Sequence, residues 1–213
     1  MELDEDKRMI KASETIDYTN ASPDPLNYLW VQLDQNRFKE GSTARMSETA
    51  ATAGTRRDKA GSGDSLSYGT LQRIQEFADG EYGFEILSVK DVNGKALPYV
   101  INDTMMRIDL PQPLVPEAAT SFSIDWQFNI INEPIIGGRG GYEHFPENDT
   151  YIYFLAQWFP RMAVYSDYEG WHNKQFLGRG EFTLEFGDYE VNITVPSDHI
   201  VSSTGVLQNP RQV

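Results

Sequence analysis

The chain has 213 residues, of which 39% are hydrophobic and 12% aromatic, and it contains no cysteine. Its formal net charge of −14 argues against nucleic acids and anionic membranes as partners, because phosphate groups would be repelled. The lack of cysteine excludes disulfide scaffolds, thiolate zinc sites and cysteine nucleophiles. This length suits one domain over 1–213 that buries a substantial core.

A period of two in the hydrophobic pattern predicts strands in the first half of the chain. Residues 9–18 alternate loosely, and 29–33 alternate after a turn-rich segment. Residues 84–91 and 95–101 flank an Asn-Gly pair at 93–94, which is a strong hairpin signal because both turn positions favour positive φ.

One segment breaks this pattern. Residues 40–69 are rich in Gly, Ser, Thr, Ala and charge and contain hardly any large apolar residue. This composition predicts a long, mobile surface loop. A helix of a turn or two is predicted after it, at 71–78.

The second half continues with strands. Residues 104–110 and 121–130 alternate between apolar and polar, which indicates half-buried strands. Residues 150–157 are apolar on both faces and are predicted to form a central strand. Residues 181–195 are predicted to form a hairpin around a Gly-Asp turn at 187–188. Together these elements predict an all-β domain of antiparallel sheets with hairpin connections.

The sequence offers no complete catalytic set. His144, His172 and His199 are its three histidines, and no His-Glu-x-x-His motif occurs. The acidic residues of 143–149 are predicted to form a solvated loop, with a calcium site or a carboxylate pair as the alternatives. The glycine-rich run at 137–141 lacks the Lys-Ser/Thr of a phosphate-binding loop, so its glycines are predicted to allow close backbone approach.

The most unusual composition lies in 157–165 and 170–180, where aromatic residues alternate with amides and arginines. Such a mixture is typical of a recognition surface. A structural corner, in which proline ends a strand and the aromatic residues fill the core, explains it equally well. Both interpretations stay open on the residues alone.

Three segments of the second half follow the pattern of a known family: Ala-Gln-Trp-Phe-Pro-Arg-Met at 156–162, Phe-Leu-Gly-Arg-Gly-Glu-Phe at 176–182 and Asp-Tyr-Glu-Val-Asn-Ile-Thr-Val-Pro at 188–196. They resemble a bacterial branch of the aminopeptidase N-like (gluzincin) zinc metallopeptidases. Residues 13–24 and 29–34 also resemble the opening strands of that family, so the similarity covers nearly all of the chain outside the predicted loop.

The resemblance implies a saddle-shaped antiparallel β-sandwich of several sheets on the N-terminal side of a larger peptidase. A thermolysin-like catalytic domain would follow residue 213 and would hold the zinc, with His-Glu-x-x-His and Gly-x-Met-Glu-Asn motifs. Neither motif occurs in this chain. We therefore expect no catalytic residue, metal or cofactor here. The expected partners are the catalytic domain of the same polypeptide and a peptide substrate.

The resemblance also implies a substrate contact. In many relatives the N-terminal domain lends one glutamine or glutamate to the amino end of the substrate, and Gln157 matches that position. An amide accepts a hydrogen bond from an ammonium group without the desolvation cost of a full charge. We expect Gln157, together with Trp158 and Arg161, to bind the peptide.

Two other interpretations remain. The chain would be a carbohydrate- or ligand-binding β-sandwich if Trp158, Trp171 and Tyr168 formed an exposed aromatic platform. It would be a scaffold if the peptidase site of the parent protein had decayed. A domain that packs on a neighbour should expose an apolar patch. A free-standing carbohydrate-binding module should instead present a row of aromatic residues over a polar groove.

Overall fold

The computed structural model describes residues 1–47, 67–178 and 183–210. Within these residues the centre of the protein is a pair of four-stranded antiparallel sheets. From edge to edge, the first sheet consists of β1 (Glu2–Asp4), β2 (Met9–Thr19), β7 (Ala119–Asn129) and β4 (Glu85–Asp91). The second consists of β10 (Arg161–Met162), β3 (Leu26–Gln32), β6 (Met105–Leu114) and β5 (Tyr99–Asn102). The prediction of an all-β antiparallel fold is confirmed.

The described residues also contain smaller elements around the two sheets. Two-stranded sheets are formed by β8 (Gly141–Phe145) with β9 (Thr150–Phe154), and by β11 (Tyr165–Ser166) with β12 (Gly170–Trp171). The helical elements are a 3-10 helix (Asp34–Phe38), α1 (Thr43–Met46), α2 (Tyr68–Asp79) and α3 (Glu133–Ile136). No helix of the described residues is both long and apolar enough to cross a membrane.

The longest strand pairing joins β2 to β7, with Met9 opposite Asn129 and Thr19 opposite Ala119. Along β7 every second residue is buried, as the period of two predicts. The buried residues of this strand are Phe122, Ile124, Trp126 and Phe128. Burial of each such side chain stabilises the fold by roughly 1.5–3 kcal/mol, so this strand anchors the first sheet.

The core lies between the two sheets. The first sheet contributes Ile10, Phe122, Ile124 and Trp126, and the second contributes Leu29, Val31, Met106 and Ile108. Phe84 packs edge-on against Phe128, with their ring centroids 5.4 Å apart. Edge-to-face packing of this kind adds to the stabilisation that burial alone provides.

A hairpin connects the two sheets at one corner. Gly94 has a φ of +77°, which glycine adopts without steric cost. The Asp91 amide donates to the Lys95 carbonyl at 2.9 Å, and the chain then crosses over so that Tyr99 pairs with β6. The Asn-Gly signal therefore identifies the turn correctly, although the strand that follows belongs to the other sheet.

The structure contradicts two strand predictions. Residues 150–157 do not form a central strand: β9 pairs with β8 alone, and Ile152 is exposed. The hairpin predicted at 181–195 is also absent from its described part, 183–195, which is extended without regular strand pairing. Single bridges join Leu184 to Ala163 and Thr194 to Glu2. Alternating apolar and polar residues favour an extended backbone, but a strand forms only where the backbone pairs with a neighbouring strand. Within the described residues, this segment pairs with the rest of the chain only at these single bridges.

The predicted loop at 40–69 is in part helical. Its described residues include α1 and the start of α2, while 48–66 lie outside the described residues. The helix predicted at 71–78 is confirmed and begins earlier, at Tyr68. The Ser67 hydroxyl accepts a hydrogen bond from the Thr70 amide at 3.1 Å, which satisfies an amide at the helix start and explains that boundary.

Candidate functional site

Gln157 lies in a sharp bend after β9, and its φ of +55° places it in the left-handed region. Residues other than glycine enter this region at a cost of about 1 kcal/mol, so surrounding contacts must hold it there. Gln35 supplies them, because its side-chain Nε2 donates to the Ala156 carbonyl at 3.1 Å and to the Gln157 carbonyl at 3.0 Å. The bend is thus held by the 3-10 helix that follows β3.

The side chain of Gln157 is half-buried and forms no hydrogen bond with the described part of the chain. Its backbone is therefore held while its amide stays available to a ligand. Fixing the main chain and leaving the functional group unpaired limits the entropy lost on binding.

Trp158 is half-buried and packs against the main core. Its ring meets that of Phe159 edge-on at 5.0 Å, and Phe159 in turn contacts Tyr189 at 5.9 Å. These contacts favour a structural corner at this point of the chain. They also bring the C-terminal segment against the bend that carries Gln157.

Arg161 lies on β10 at the edge of the second sheet and forms an ion pair with Asp34. The Asp34 side chain is 1% exposed and that of Arg161 13%. Burial raises the pKa of Asp34 above its ordinary value, although the charge of Arg161 opposes that rise. This pairing directs the guanidinium of Arg161 into the protein.

The aromatic residues that would form a carbohydrate platform lie in different surroundings. Tyr168 is 80% exposed, whereas Trp171 is half-buried between Tyr18 and Tyr165, with ring centroids 6.3 and 5.3 Å away. Trp158 packs on the core. Among the described residues no ring contact joins these three, which does not favour the exposed platform.

The three histidines lie apart in separate polar clusters. His144 Nε2 lies 2.9 Å from Asp149 Oδ1, and its ring stacks on Tyr151. His172 Nε2 lies 2.9 Å from Ser166 Oγ. The acidic loop at 143–149 thus places one carboxylate, that of Asp149, next to the imidazole of His144, which fits a solvated turn.

His199 belongs to a cluster that the sequence did not indicate. One ligand atom each from Glu5, Asp198 and His199 lie within 4.8 Å of one another. Asp198 is largely exposed, and each carboxylate is accounted for by its ion pair with the imidazole. Glu5 and His199 are far apart in the chain, and no spacing motif reports such a pair.

The C-terminal segment 183–207 exposes several large apolar side chains. Phe186 and Ile200 are fully exposed, and Val206 is 83% exposed. Further exposed residues in this segment are Leu184, Tyr189, Val191, Val201 and Leu207. A run of exposed large apolar side chains along one segment is a feature of surfaces that another protein or domain covers.

The glycine-rich run allows the close approach that its composition predicts. A Cβ on Gly140 would lie 2.9 Å from the Ala156 amide nitrogen and 2.9 Å from the Phe154 carbonyl oxygen. A Cβ on Gly141 would lie 2.7 Å from the Ile131 carbonyl oxygen. The prediction is confirmed, and these glycines bring 138–141 against the end of β9, just before the Gln157 bend.

Glu14 is a further polar residue that sequence reasoning missed. It lies on the inward face of β2 between Ala12 and Ile16, opposite Ile124. Burial raises the pKa of its carboxyl to about 8, and within the described part of the chain its Oε1 is buried without a hydrogen-bond partner. A neutral carboxyl group is therefore kept inside the sandwich at neutral pH.

No protein-family model, curated protein or solved structure matches this chain. Its relation to the aminopeptidase N-like enzymes is therefore a proposal that rests on its own residues and geometry. The functional features that this geometry provides are the clamped bend at Gln157, the exposed apolar segment 183–207 and the polar groups on the outer side of the second sheet.

Proposed function

We propose that this chain is the non-catalytic N-terminal β-domain of an aminopeptidase N-like zinc metallopeptidase. In this role it packs on a thermolysin-like domain and helps to frame the site for the amino end of a peptide. The observation that carries the proposal is the exposed apolar segment 183–207, since a domain that docks on a neighbour leaves such a surface when it stands alone.

Two features of segment 183–207 support docking: the size of its exposed apolar side chains and the state of its backbone. Covering Phe186 or Ile200 against a neighbouring domain gives roughly 1.5–3 kcal/mol for each side chain. The segment joins the rest of the described chain at isolated bridges and forms no regular strand, so most of its backbone groups are available to pair with the neighbour. In that case the part of the segment with alternating apolar and polar residues forms a strand at the interface.

Gln157 supports the second half of the proposal. Its strained backbone is clamped by Gln35, and its amide is unpaired. Such strain is concentrated at functional sites. An amide oxygen there accepts a hydrogen bond from the ammonium of a peptide, and this positions the peptide without any covalent role for the domain.

The test uses the chain alone and the complete gene product that contains it. Zinc content and hydrolysis of a panel of amino-acid amide reporters are measured side by side. We expect the chain alone to be inert and free of tightly bound zinc, while the complete protein holds one zinc per catalytic domain and cleaves. A complete protein with neither zinc nor activity would favour the scaffold interpretation.

Gln157→Ala in the complete protein tests the substrate contact. We expect a loss of about 1.5–3 kcal/mol in kcat/KM, since a hydrogen bond to a charged group is removed. Gln72→Ala is the matched control, because Gln72 is an exposed glutamine on α2. Equal kcat/KM values for the two variants would exclude Gln157 from substrate binding.

A further inference from the structure

A cavity of about 410 Å³ lies between the end of β3 and the β11–β12 hairpin with the residues that follow it. Its lining includes Gln32, Glu169, Trp171, His172, Asn173 and Lys174. Leu29 and Val31 of β3 are part of the core between the sheets, so Gln32 next to them faces the opposite, outer side. The volume falls in the range of about 300–1,000 Å³ that is usual for small-molecule sites.

Gln32 is the decisive residue of this cavity. It is 3% exposed, and its Oε1 is sealed from solvent and has no hydrogen-bond partner among residues 1–47, 67–178 and 183–210. Its Nε2 also makes no hydrogen bond within the described residues. Buried side-chain amides are nearly always hydrogen-bonded, so the unpaired Nε2 at the wall of the cavity is a donor that a ligand oxygen can satisfy.

Two residues next to Gln32 also carry buried polar atoms that lack a hydrogen-bond partner within the described residues. Arg161 is its neighbour across the β3–β10 pairing, and Asp34 follows two residues later in the chain. Although these two form an ion pair, Arg161 Nε and Asp34 Oδ1 are each buried without a partner. The floor beside the cavity is therefore polar and incompletely satisfied.

The charges at the cavity are balanced among themselves. Glu169 lies 3.4 Å from the ammonium of Lys174 and 3.9 Å from His172 Nε2. Because the carboxylate of Glu169 already has the ammonium of Lys174 as its neighbour, Glu169 offers little to a cationic ligand, and Lys174 offers little to an anion. This balance favours a neutral ligand rich in hydroxyl groups.

We propose that this cavity binds a neutral sugar. The indole of Trp171 offers an apolar face to the C–H groups of a pyranose ring, and the amides of Gln32 and Asn173 offer donors and acceptors to its hydroxyls. A sugar hydroxyl oxygen accepts from Nε2 of Gln32, which is the atom of this amide that is not sealed from the cavity. The proposal is independent of the peptidase function and of the Gln157 bend.

The experiment titrates the 213-residue chain with glucose, galactose, N-acetylglucosamine, cellobiose and lactose. Binding is followed by tryptophan fluorescence and by ligand-detected NMR. Gln32→Met keeps the shape of the side chain and removes its polar atoms, and Tyr68→Ala on α2 serves as the control, because Tyr68 is exposed and outside the cavity lining. Monosaccharide binding indicates a free sugar, while binding of the disaccharides alone indicates the end of a longer chain; either result supports the proposal.

We expect saturable binding of at least one sugar, at least tenfold weaker in Gln32→Met and unchanged in Tyr68→Ala. The empty Gln32→Met protein should melt about 2–4 °C higher than the native chain, because an unpaired buried amide has been removed. A purely structural Gln32 would give the opposite shift, a lower melting temperature. The proposal is overturned if no sugar of the panel binds, if Gln32→Met binds as the native chain does, or if its melting temperature falls.

Discussion

Arg161 and Asp34 pair across the outer side of the second sheet, where Asp34 is sealed from solvent and Arg161 nearly so. The pair joins the edge strand β10 to the 3-10 helix that follows β3. Since β10 is two residues long, this contact holds the edge of the sheet as much as its backbone pairing does.

Removing one partner should therefore lower the free energy of unfolding by more than the ion pair contributes to it. We expect Arg161→Met to lower the free energy of unfolding by about 3–5 kcal/mol, because it leaves a buried carboxylate without compensation. Urea denaturation measures the change. The double variant Arg161→Met/Asp34→Leu should recover most of the loss, and a double variant as unstable as the sum of the two singles would contradict this explanation.

Glu14 makes the stability of the sandwich depend on pH. Its pKa is raised to about 8 in the folded protein, from 4.5 as the ordinary value. Between these values the unfolded chain has released the proton and the folded chain has kept it, so the stabilising contribution present below pH 4.5 is lost as pH rises towards 8. At about 1.4 kcal/mol for each pKa unit, the total is several kcal/mol.

Glu14→Gln tests this pH dependence directly. The variant should match the native chain near pH 4 and become progressively more stable than it up to pH 8, since an amide has no proton to lose. Thermal unfolding at a series of pH values measures the difference. Parallel curves for the two proteins would show that Glu14 titrates normally.

Gln157 offers a test of backbone strain. Gln157→Gly should raise the free energy of unfolding by about 0.5–1 kcal/mol relative to Gln157→Ala, because glycine occupies a φ of +55° without steric cost and alanine does not. Both variants lose the side chain, so their difference isolates the backbone. Equal unfolding midpoints in urea would mean that the bend relaxes out of the left-handed region.

Gly140 tests the close approach beside β9. We expect Gly140→Ala to destabilise the fold by more than about 2 kcal/mol, because its Cβ would press on the backbone at Phe154 and Ala156. Gly187→Ala is the matched control, since a Cβ there makes ordinary contacts. Melting temperatures measure both variants, and similar values would show that 138–141 shifts to accommodate a methyl group.

The sequence predicts most of the fold where burial decides it. Phe122 through Phe128 alternate because one face of β7 is inside, and that pattern can be read from the residues. The same pattern at 183–195 fails, since alternation says nothing about whether a strand finds a partner. The turn at Gly94 is predicted correctly because its signal is local: the turn requires a positive φ, which glycine adopts readily.

The candidate sites were less predictable. The family resemblance indicates Gln157. Its left-handed backbone and its hydrogen bond from Gln35 cannot be predicted from the sequence. Gln32 reads as an ordinary polar residue of a half-exposed strand, and its burial depends on the distant segment that covers it. Long-range packing of this kind has no local pattern.

The crossing hairpin between β4 and β5 has a consequence for how the sandwich assembles. The partners β2 and β7 come from distant parts of the chain, so their pairing closes a long loop, whereas the turn at Asn93-Gly94 closes a very short one. The hairpin is thus the least costly contact that places both sheets side by side. We expect it to form early, with its corner acting as the template on which the remote strands then align.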